Sequence, residues 1–208
     1  MHWLKAQFDL AWQFYRKELK KIHSRCLCTF LLLCLGGGLV FRLFAPQAEA
    51  VLRFFMESVQ QSGVMTEEGG VSLWALFGNN LRASLTAAAM GLVPFLFLPA
   101  LSLVINGVVI GVVLSVSDSL GLAVWQMVLL GLAPHGVFEI PAITLGITMG
   151  LWLCRQMNGM IRKRPDTPTL EEILPQLVRV SLLFLVPLLA AAALIETFLT
   201  PVLLGLVQ

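Results

Sequence analysis

Residues 83–117 read ASLTAAAMGLVPFLFLPALSLVINGVVIGVVLSVS and contain no Asp, Glu, Lys or Arg. Only Asp118 and Glu139 carry charge in the wider stretch from Ala83 to Cys154. Since a transmembrane helix needs about 20 mostly apolar residues, this stretch predicts more than one membrane helix. Of the 208 residues, 58% are hydrophobic and 12% are charged, with a mean hydropathy of +0.86. That is about half the charge of a soluble domain, which excludes a soluble globular domain, a disordered chain and a nucleic-acid binder. We therefore expect an all-α, polytopic transmembrane helical bundle.

The positive charges lie in two clusters. Of the 14 Lys and Arg residues, six lie in residues 1–25 and five in residues 155–179. Because Lys and Arg accumulate in the cytoplasmic segments of membrane proteins, we expect both clusters, and the N-terminus, in the cytoplasm. An odd number of crossings then places Gln208 outside.

The first cluster lies on a predicted amphipathic helix, residues 1–26. Its large apolar residues recur every three or four positions and so share one helix face: Leu4, Phe8, Trp12, Tyr15, Leu19 and Ile22. A basic helix with aromatic anchors can lie on an anionic membrane surface. It can also pack on the cytoplasmic face of the protein itself, and the two arrangements are compatible.

A single transmembrane domain is predicted over residues 27–204. Its five expected spans are Leu27–Phe44, Leu81–Pro99, Leu101–Ser117, Val137–Cys154 and Val180–Thr200. They leave an external loop at residues 45–78 and a cytoplasmic loop at residues 155–175. Ala48-Glu49-Ala50 resembles a signal-peptidase site, but the charged region before the first span is too long for a signal peptide, so we expect an uncleaved anchor.

Two shorter helices are predicted around these spans. Thr169 and Glu172 form a capping box that opens a helix, which Pro175 should limit. Leu120–Ala133 would be about 21 Å long as a helix, too short for a hydrocarbon core of about 30 Å. We expect it to be a re-entrant half-helix that ends where Pro134-His135-Gly136 breaks the chain. The rival arrangement has six full spans and would place Arg162-Lys163-Arg164 outside.

Polar residues inside the membrane are few, and helical rise from the basic clusters places most of them at one level near the outer side. The predicted functional polar cluster consists of Asn79, Asn80, His135, Glu139 and Glu196. Asn79 and Asn80 should open the second span, and Asn106 is an additional polar residue near the inner end of the third. We expect Glu139 and Glu196 to face one another with His135 in reach, because an isolated buried carboxylate is costly.

Three interpretations of the cluster remain open. His135 and Glu139 can form a hydrogen-bonded pair that fastens the break after the half-helix, with Asn79 or Asn80 capping a helix end. The cluster can line a wet cavity for a small solute or ion. His135, Glu139 and Glu196 can also hold a divalent cation, since one histidine and two carboxylates are suitable ligands. No nucleophile–base grouping, phosphate loop or cofactor motif is evident, so we expect no catalytic residues and no cofactor.

Four motifs follow one another along the chain. They are FGNN at residues 77–80, NG at 106–107 with Gly111, GLAPHGVFEIPA at 131–142 and ALIETFLTP at 193–201. This order resembles the stage II sporulation protein M family of bacterial inner-membrane proteins, over residues from about 16 to 201. The resemblance implies a multi-pass protein without an established enzyme activity. In endospore formers the family's named member works with two cell-wall hydrolases during forespore engulfment.

Two functions of different classes follow. The first is a membrane scaffold that contacts lipids and positions cell-envelope partners, among them peptidoglycan hydrolases. The alternative is a transporter or an intramembrane metal-dependent enzyme built on His135, Glu139 and Glu196. The pattern does not determine the oligomeric state or the partner.

Overall fold

The computed structural model describes residues 2–66, 70–119 and 123–205, and these residues form six helices without a regular β-strand. The helices are α1 His2–Leu43, α2 Ala45–Gln61, α3 Leu73–Ala89, α4 Pro99–Ser119, α5 Val124–Ile161 and α6 Leu170–Gly205. An isolated antiparallel bridge between Met65 and Val71 precedes α3. The predicted all-α class is therefore confirmed.

Four helices are long and apolar enough to cross a membrane, namely α1, α4 over Pro99–Val116, α5 and α6. The helix α3 has 17 residues, and a 3₁₀ turn, Met90–Leu92, extends it. The helix α5 has 38 residues and is about 57 Å long at 1.5 Å per residue. It therefore exceeds the thickness of a hydrocarbon core, about 30 Å.

Contacts between the helices fix their relative directions. Gly107 and Gly111 of α4 lie against Phe30 and Gly37 of α1, in the same order, so these two helices are parallel. The pairs Ser84–Gly146 and Ala87–Gly150 likewise make α3 and α5 parallel.

The helix α5 runs antiparallel to both α1 and α6. Its Trp152 and Thr144 contact Glu18 and His23 of α1, in reversed order. Its Met149 and His135 contact Ser181 and Thr200 of α6, again reversed. Thus α1, α4 and α6 run one way, and α3 and α5 the other. The five-span count stays a prediction, which this alternation supports. Gln208 lies outside the described residues.

The predicted N-terminal helix is not a separate element, because α1 continues from His2 to Leu43 through a π-helical turn at Tyr15–Leu19. It packs on the protein itself. The rings of Phe8 and Phe184 are 5.5 Å apart, and Arg179 Nε donates to Gln7 Oε1 at 2.6 Å. Its Ala11 and Leu19 are fully buried, so one side of the predicted amphipathic helix forms part of the core.

The predicted chain break at Pro134 is wrong, and so is the half-helix that it would end, because α5 is continuous from Val124 to Ile161. A proline removes one backbone donor and collides with the carbonyl four residues before it. Before Pro134 that carbonyl lies in a π-helical turn, Met127–Leu132, where hydrogen bonds reach five residues ahead. The turn therefore accommodates the proline without ending the helix.

The same device recurs in α6. The π-helical turns Ser181–Leu185 and Ile195–Leu199 precede Pro187 and Pro201 by two residues each. Pro175 lies within α6 and does not limit it, contrary to prediction. The capping box at the start of α6 is confirmed, since the Thr169 N–H donates to Glu172 Oε2 at 2.8 Å.

The segment predicted as an external loop, residues 45–78, is mostly helical. It contains all of α2 and the first turns of α3, which begins at Leu73 rather than Leu81. At its other end α3 gives way after Leu92 to an irregular segment, which lasts until Pro99 begins α4. There Phe95 and Phe97 adopt left-handed backbone angles, with φ of 65° and 47°.

The irregular segment between α3 and α4 is held by the end of α5. The N–H of Phe95 donates to Asn158 Oδ1 at 2.7 Å, and Cys154 Sγ donates to the Val93 carbonyl at 3.4 Å. The guanidinium of Arg162 lies over the Phe95 ring, 5.5 Å from its centre. The connection therefore lies at the end of the bundle that carries the second basic cluster.

Small residues let the helices approach closely. A Cβ added to Gly111 would lie 2.5 Å from the Cys34 carbonyl oxygen and 2.6 Å from the Gly38 nitrogen. One added to Gly146 would lie 2.7 Å from the Ser84 carbonyl oxygen. All three distances are far below a normal van der Waals contact, so only glycine fits at these two crossings. Close packing of small residues is typical of membrane helices.

Candidate functional site

Three helices bring polar side chains to one place. His135 and Glu139 lie one turn apart on α5, Glu196 lies on α6, and Asn80 lies on α3. We call these four residues the polar site. Its members come together because α5 packs parallel to α3 and antiparallel to α6. The spatial convergence predicted for the histidine and the two glutamates is therefore observed.

The histidine ring lies at the same distance from both carboxylates. His135 Nε2 is 3.9 Å from Glu139 Oε2 and 3.9 Å from Glu196 Oε2. One potential ligand atom from each of the three residues lies within 4.8 Å of the others. Hydrogen bonds from nitrogen to oxygen span 2.7–3.2 Å, so the ring does not bond directly to either carboxylate.

Neighbouring groups contact two further polar atoms of the site. Asn80 Nδ2 donates to Glu139 Oε1 at 2.9 Å. Thr200 Oγ1 lies 3.5 Å from His135 Nδ1, at the long limit of a hydrogen bond. These contacts occupy Oε1 of Glu139 and Nδ1 of His135. Glu139 Oε2 and His135 Nε2 remain on the side of Glu196.

The polar site is largely withdrawn from the surface. The exposed fractions of the His135, Glu139 and Glu196 side chains are 11%, 20% and 25%. Burying carboxylates is costly unless they are paired and hydrogen-bonded. Two ionised carboxylates here would need a compensating positive charge, from a protonated His135 or a bound cation, and otherwise the pair would hold a proton.

The donor set suits a divalent cation, because imidazole nitrogen and carboxylate oxygen both bind Zn²⁺ and related metals. A tetrahedral ion with bonds of 2.0–2.2 Å would hold its ligand atoms roughly 3.4 Å apart. The observed 3.9 Å spacing of the histidine and each glutamate is about 0.5 Å longer than that value, and the three ligand atoms lie within 4.8 Å of one another. Asn80 contacts Glu139 and Thr200 contacts His135, as residues that orient metal ligands usually do.

Two of the predicted residues lie apart from the polar site. Asn79 accepts a long hydrogen bond from Arg82 at 3.5 Å. Neither Asn79 nor Asn80 opens its helix, since Ser72 caps α3 and accepts from the Ala75 N–H at 3.4 Å. Asn106 donates to the carbonyl of Ser102 at 2.8 Å, within α4. Of the three asparagines, only Asn80 therefore joins the polar site.

A second buried histidine was not predicted. His23 of α1 is 6% exposed, and its Nδ1 lies 3.0 Å from the Tyr15 hydroxyl. Its Nε2 lies 3.0 Å from the Pro141 carbonyl and 3.1 Å from Thr144 Oγ1 on α5. The available signal was the spacing from Tyr15 to Leu19 to His23, four residues each, which places the histidine on the buried stripe.

Comparison with known proteins gives two findings. The family model of stage II sporulation protein M matches residues 27–201. An uncharacterized protein of Methanocaldococcus jannaschii is 27% identical over 127 residues, which cover 61% of this chain and 70% of that protein. No solved structure matches the chain. The residues that the family model matches include all four members of the polar site.

Proposed function

Because the chain belongs to the stage II sporulation protein M family, we propose that it is a multi-pass protein of the cytoplasmic membrane that positions cell-envelope partners. The family match over residues 27–201 carries this proposal. The four long apolar helices support the membrane part of it. Peptidoglycan hydrolases are the partners that we propose, as in forespore engulfment, with the protein itself acting as their platform.

We further propose α2 as the surface that meets these partners. The helix exposes consecutive large apolar residues, with exposed fractions of 73% for Phe54 and 36% each for Phe55 and Met56. It follows directly on the end of α1 that is remote from the basic residues 1–25. If those basic residues are cytoplasmic, α2 lies on the outer side, where peptidoglycan is found.

The platform role predicts a dependence of hydrolase position on this protein. A fluorescent hydrolase of the same cell should lose its localisation when the gene is deleted. Phe54→Ser with Phe55→Ser should reproduce that loss, whereas Leu182→Ser, at a site 61% exposed on α6, should not. Unchanged localisation and unchanged peptidoglycan in the deletion strain would contradict the role.

A second candidate function follows from the polar site. We propose divalent cation binding by His135, Glu139 and Glu196, because their potential ligand atoms lie within 4.8 Å of one another. Two further contacts, to Asn80 and Thr200, orient Glu139 and His135 toward the third ligand. A bound Zn²⁺ would neutralise the two carboxylates and would supply Lewis-acid chemistry to a transporter or an enzyme.

Metal content and thermal stability together test the second candidate. The purified protein should retain about one equivalent of Zn²⁺ or Mn²⁺ by mass spectrometry, and a chelator should lower its unfolding temperature. Glu196→Gln should abolish both effects, and Glu57→Gln, at an exposed position of α2, should abolish neither. The site would have a structural role alone if the unmodified protein holds no metal and its unfolding temperature does not respond to the chelator, while Glu196→Gln lowers that temperature.

A further inference from the structure

A cleft of about 900 Å³ lies at the other end of α5 from the polar site. Its walls are the first part of α1, the last turns of α5, the loop after α5 and the start of α6. Five basic side chains line it: Lys17, Lys21, Arg25, Arg155 and Arg164. The volume falls in the range of small-molecule sites, about 300–1,000 Å³.

The basic side chains of the cleft are poorly compensated. Three acidic residues also line it, namely Glu18, Asp166 and Glu172, and the Glu18 carboxylate lies 4.0 Å from Lys17 Nζ. Glu18 Oε2 accepts from Trp152 Nε1 at 3.2 Å, and Glu172 Oε2 accepts from the Thr169 N–H at 2.8 Å. Among residues 2–66, 70–119 and 123–205, no carboxylate forms an ion pair with any of these four: Lys21, Arg25, Arg155 and Arg164.

The arrangement of these cations is set by the helices. Lys17, Lys21 and Arg25 recur every four residues and form one stripe along α1. The antiparallel α5 places Arg155 on the facing wall, one turn from Trp152. Like charges gathered in one cleft repel one another, so a multivalent anion between the two walls would be favoured. Arginine forks bind the oxygens of phosphate groups with two parallel hydrogen bonds.

We propose that this cleft binds a phosphate group of an anionic ligand. The helix α1 leads from the cleft directly into its apolar run, which starts at Leu27. That position favours the headgroup of an anionic phospholipid, since basic pockets at the cytoplasmic edge of membrane helices bind such headgroups. A soluble phosphate compound offers the same chemistry and is the other possible source.

Binding measurements on the full chain in neutral detergent micelles test the proposal. The probes are phosphatidylglycerol, phosphatidylcholine and sodium pyrophosphate, and the readouts are lipid retention by native mass spectrometry and the thermal unfolding shift. Phosphatidylglycerol should bind more tightly than phosphatidylcholine. The double variant Arg25→Gln/Arg155→Gln should weaken this binding about 30-fold, equivalent to about 2 kcal/mol.

A matched variant separates the cleft from general charge attraction. Lys5→Gln/Lys20→Gln removes two charges from exposed positions of α1 that do not line the cleft, and it should change the affinity less than about threefold. If Arg25→Gln/Arg155→Gln does not fold, Lys21→Gln/Arg164→Gln serves as the second pair.

The outcomes decide both the site and its source. A response to phosphatidylglycerol without one to pyrophosphate supports a lipid headgroup, and a response to pyrophosphate supports a soluble phosphate compound. Equal losses in the cleft variant and the control variant would overturn the proposal. So would an unmodified protein that binds neither phosphatidylglycerol in preference to phosphatidylcholine nor pyrophosphate.

Discussion

The crossing of α1 and α4 predicts that one added methyl group will destabilise the protein. In Gly111→Ala the new Cβ would lie 2.5 Å from the Cys34 carbonyl oxygen and 2.6 Å from the Gly38 nitrogen. Both are backbone atoms of a helix and cannot rotate away. To restore a contact of about 3.4 Å, the two helices must separate by nearly 1 Å.

The size of the effect follows from two opposing terms. Overpacking a tight core costs about 1–3 kcal/mol, and a backbone-lined site belongs at the upper end of that range. Alanine is favoured over glycine in a helix by about 1 kcal/mol. We therefore expect a net loss of about 1–2 kcal/mol, which lowers the unfolding temperature by roughly 2–8 °C in a chain of this length.

Gly36→Ala is the matched control, because a Cβ at Gly36 meets no atom within 4 Å. The same substitution should there raise the unfolding temperature in detergent. Circular dichroism or a fluorescence melt of the two variants measures the opposite signs. If Gly111→Ala were as stable as the unmodified protein, the close approach of α1 and α4 would be refuted.

Further predictions concern the polar site, the α1–α5 contact, the capping box and the topology. Glu139→Ala removes the acceptor of the half-buried Asn80 amide and should cost about 1–3 kcal/mol, whereas Glu139→Gln should cost less; equal melting temperatures would contradict this. His23→Phe removes three polar contacts to α1 and α5, and a melt should show a loss of similar size. Thr169→Ala should cost about 0.5–2 kcal/mol and speed amide exchange in the first turn of α6 only. In a cysteine-free chain, a cysteine at Lys163 should react with an impermeant reagent only in opened cells, and one at Ser62 in intact cells; the reverse pattern would overturn the orientation.

The membrane character and the polar convergence follow from properties that are local in the sequence. Charge is so scarce between Ala83 and Cys154 that only helices in lipid are compatible with the composition. Helical rise is regular enough that residue counts from Arg155 and Arg179 bring Glu139 and Glu196 to the same level. Their approach to His135 then follows from the cost of leaving a carboxylate without a partner in an apolar bundle.

The errors have a common physical origin, which is that local rules describe a helix alone. Pro134 and Pro175 would end an isolated α-helix, but both are retained inside helices, Pro134 just after a π-helical turn. A helix limited to Leu120–Ala133 is too short to span the membrane, and Pro134 alone sets that limit. The π-helical turn at Met127–Leu132 accommodates the proline, and the rule that a proline ends a helix does not include such turns.

Contacts between distant segments were also beyond the sequence pattern. The stripe that contains His23 indicates a buried face, but it does not tell which carbonyl the imidazole will meet. The glycines of α1 and α4 look like weak points of their helices when each helix is considered separately. Only their pairing across the crossing explains why Gly111 stands opposite Gly37 and Gly38.

The π-helical turns have a consequence for how this chain tolerates insertion and deletion. Each such turn amounts to one residue added to an α-helix, and one residue corresponds to a rotation of about 100°. Deleting a residue from Met127–Leu132 together with Pro134→Ala should close the turn into an ordinary helix. The segment Val124–Gln126 would then swing around the helix axis, while His135 and Glu139 would keep their orientation toward Glu196. A length change of one residue in this turn would thus rotate only the first residues of α5 and would leave the geometry of the polar site unchanged.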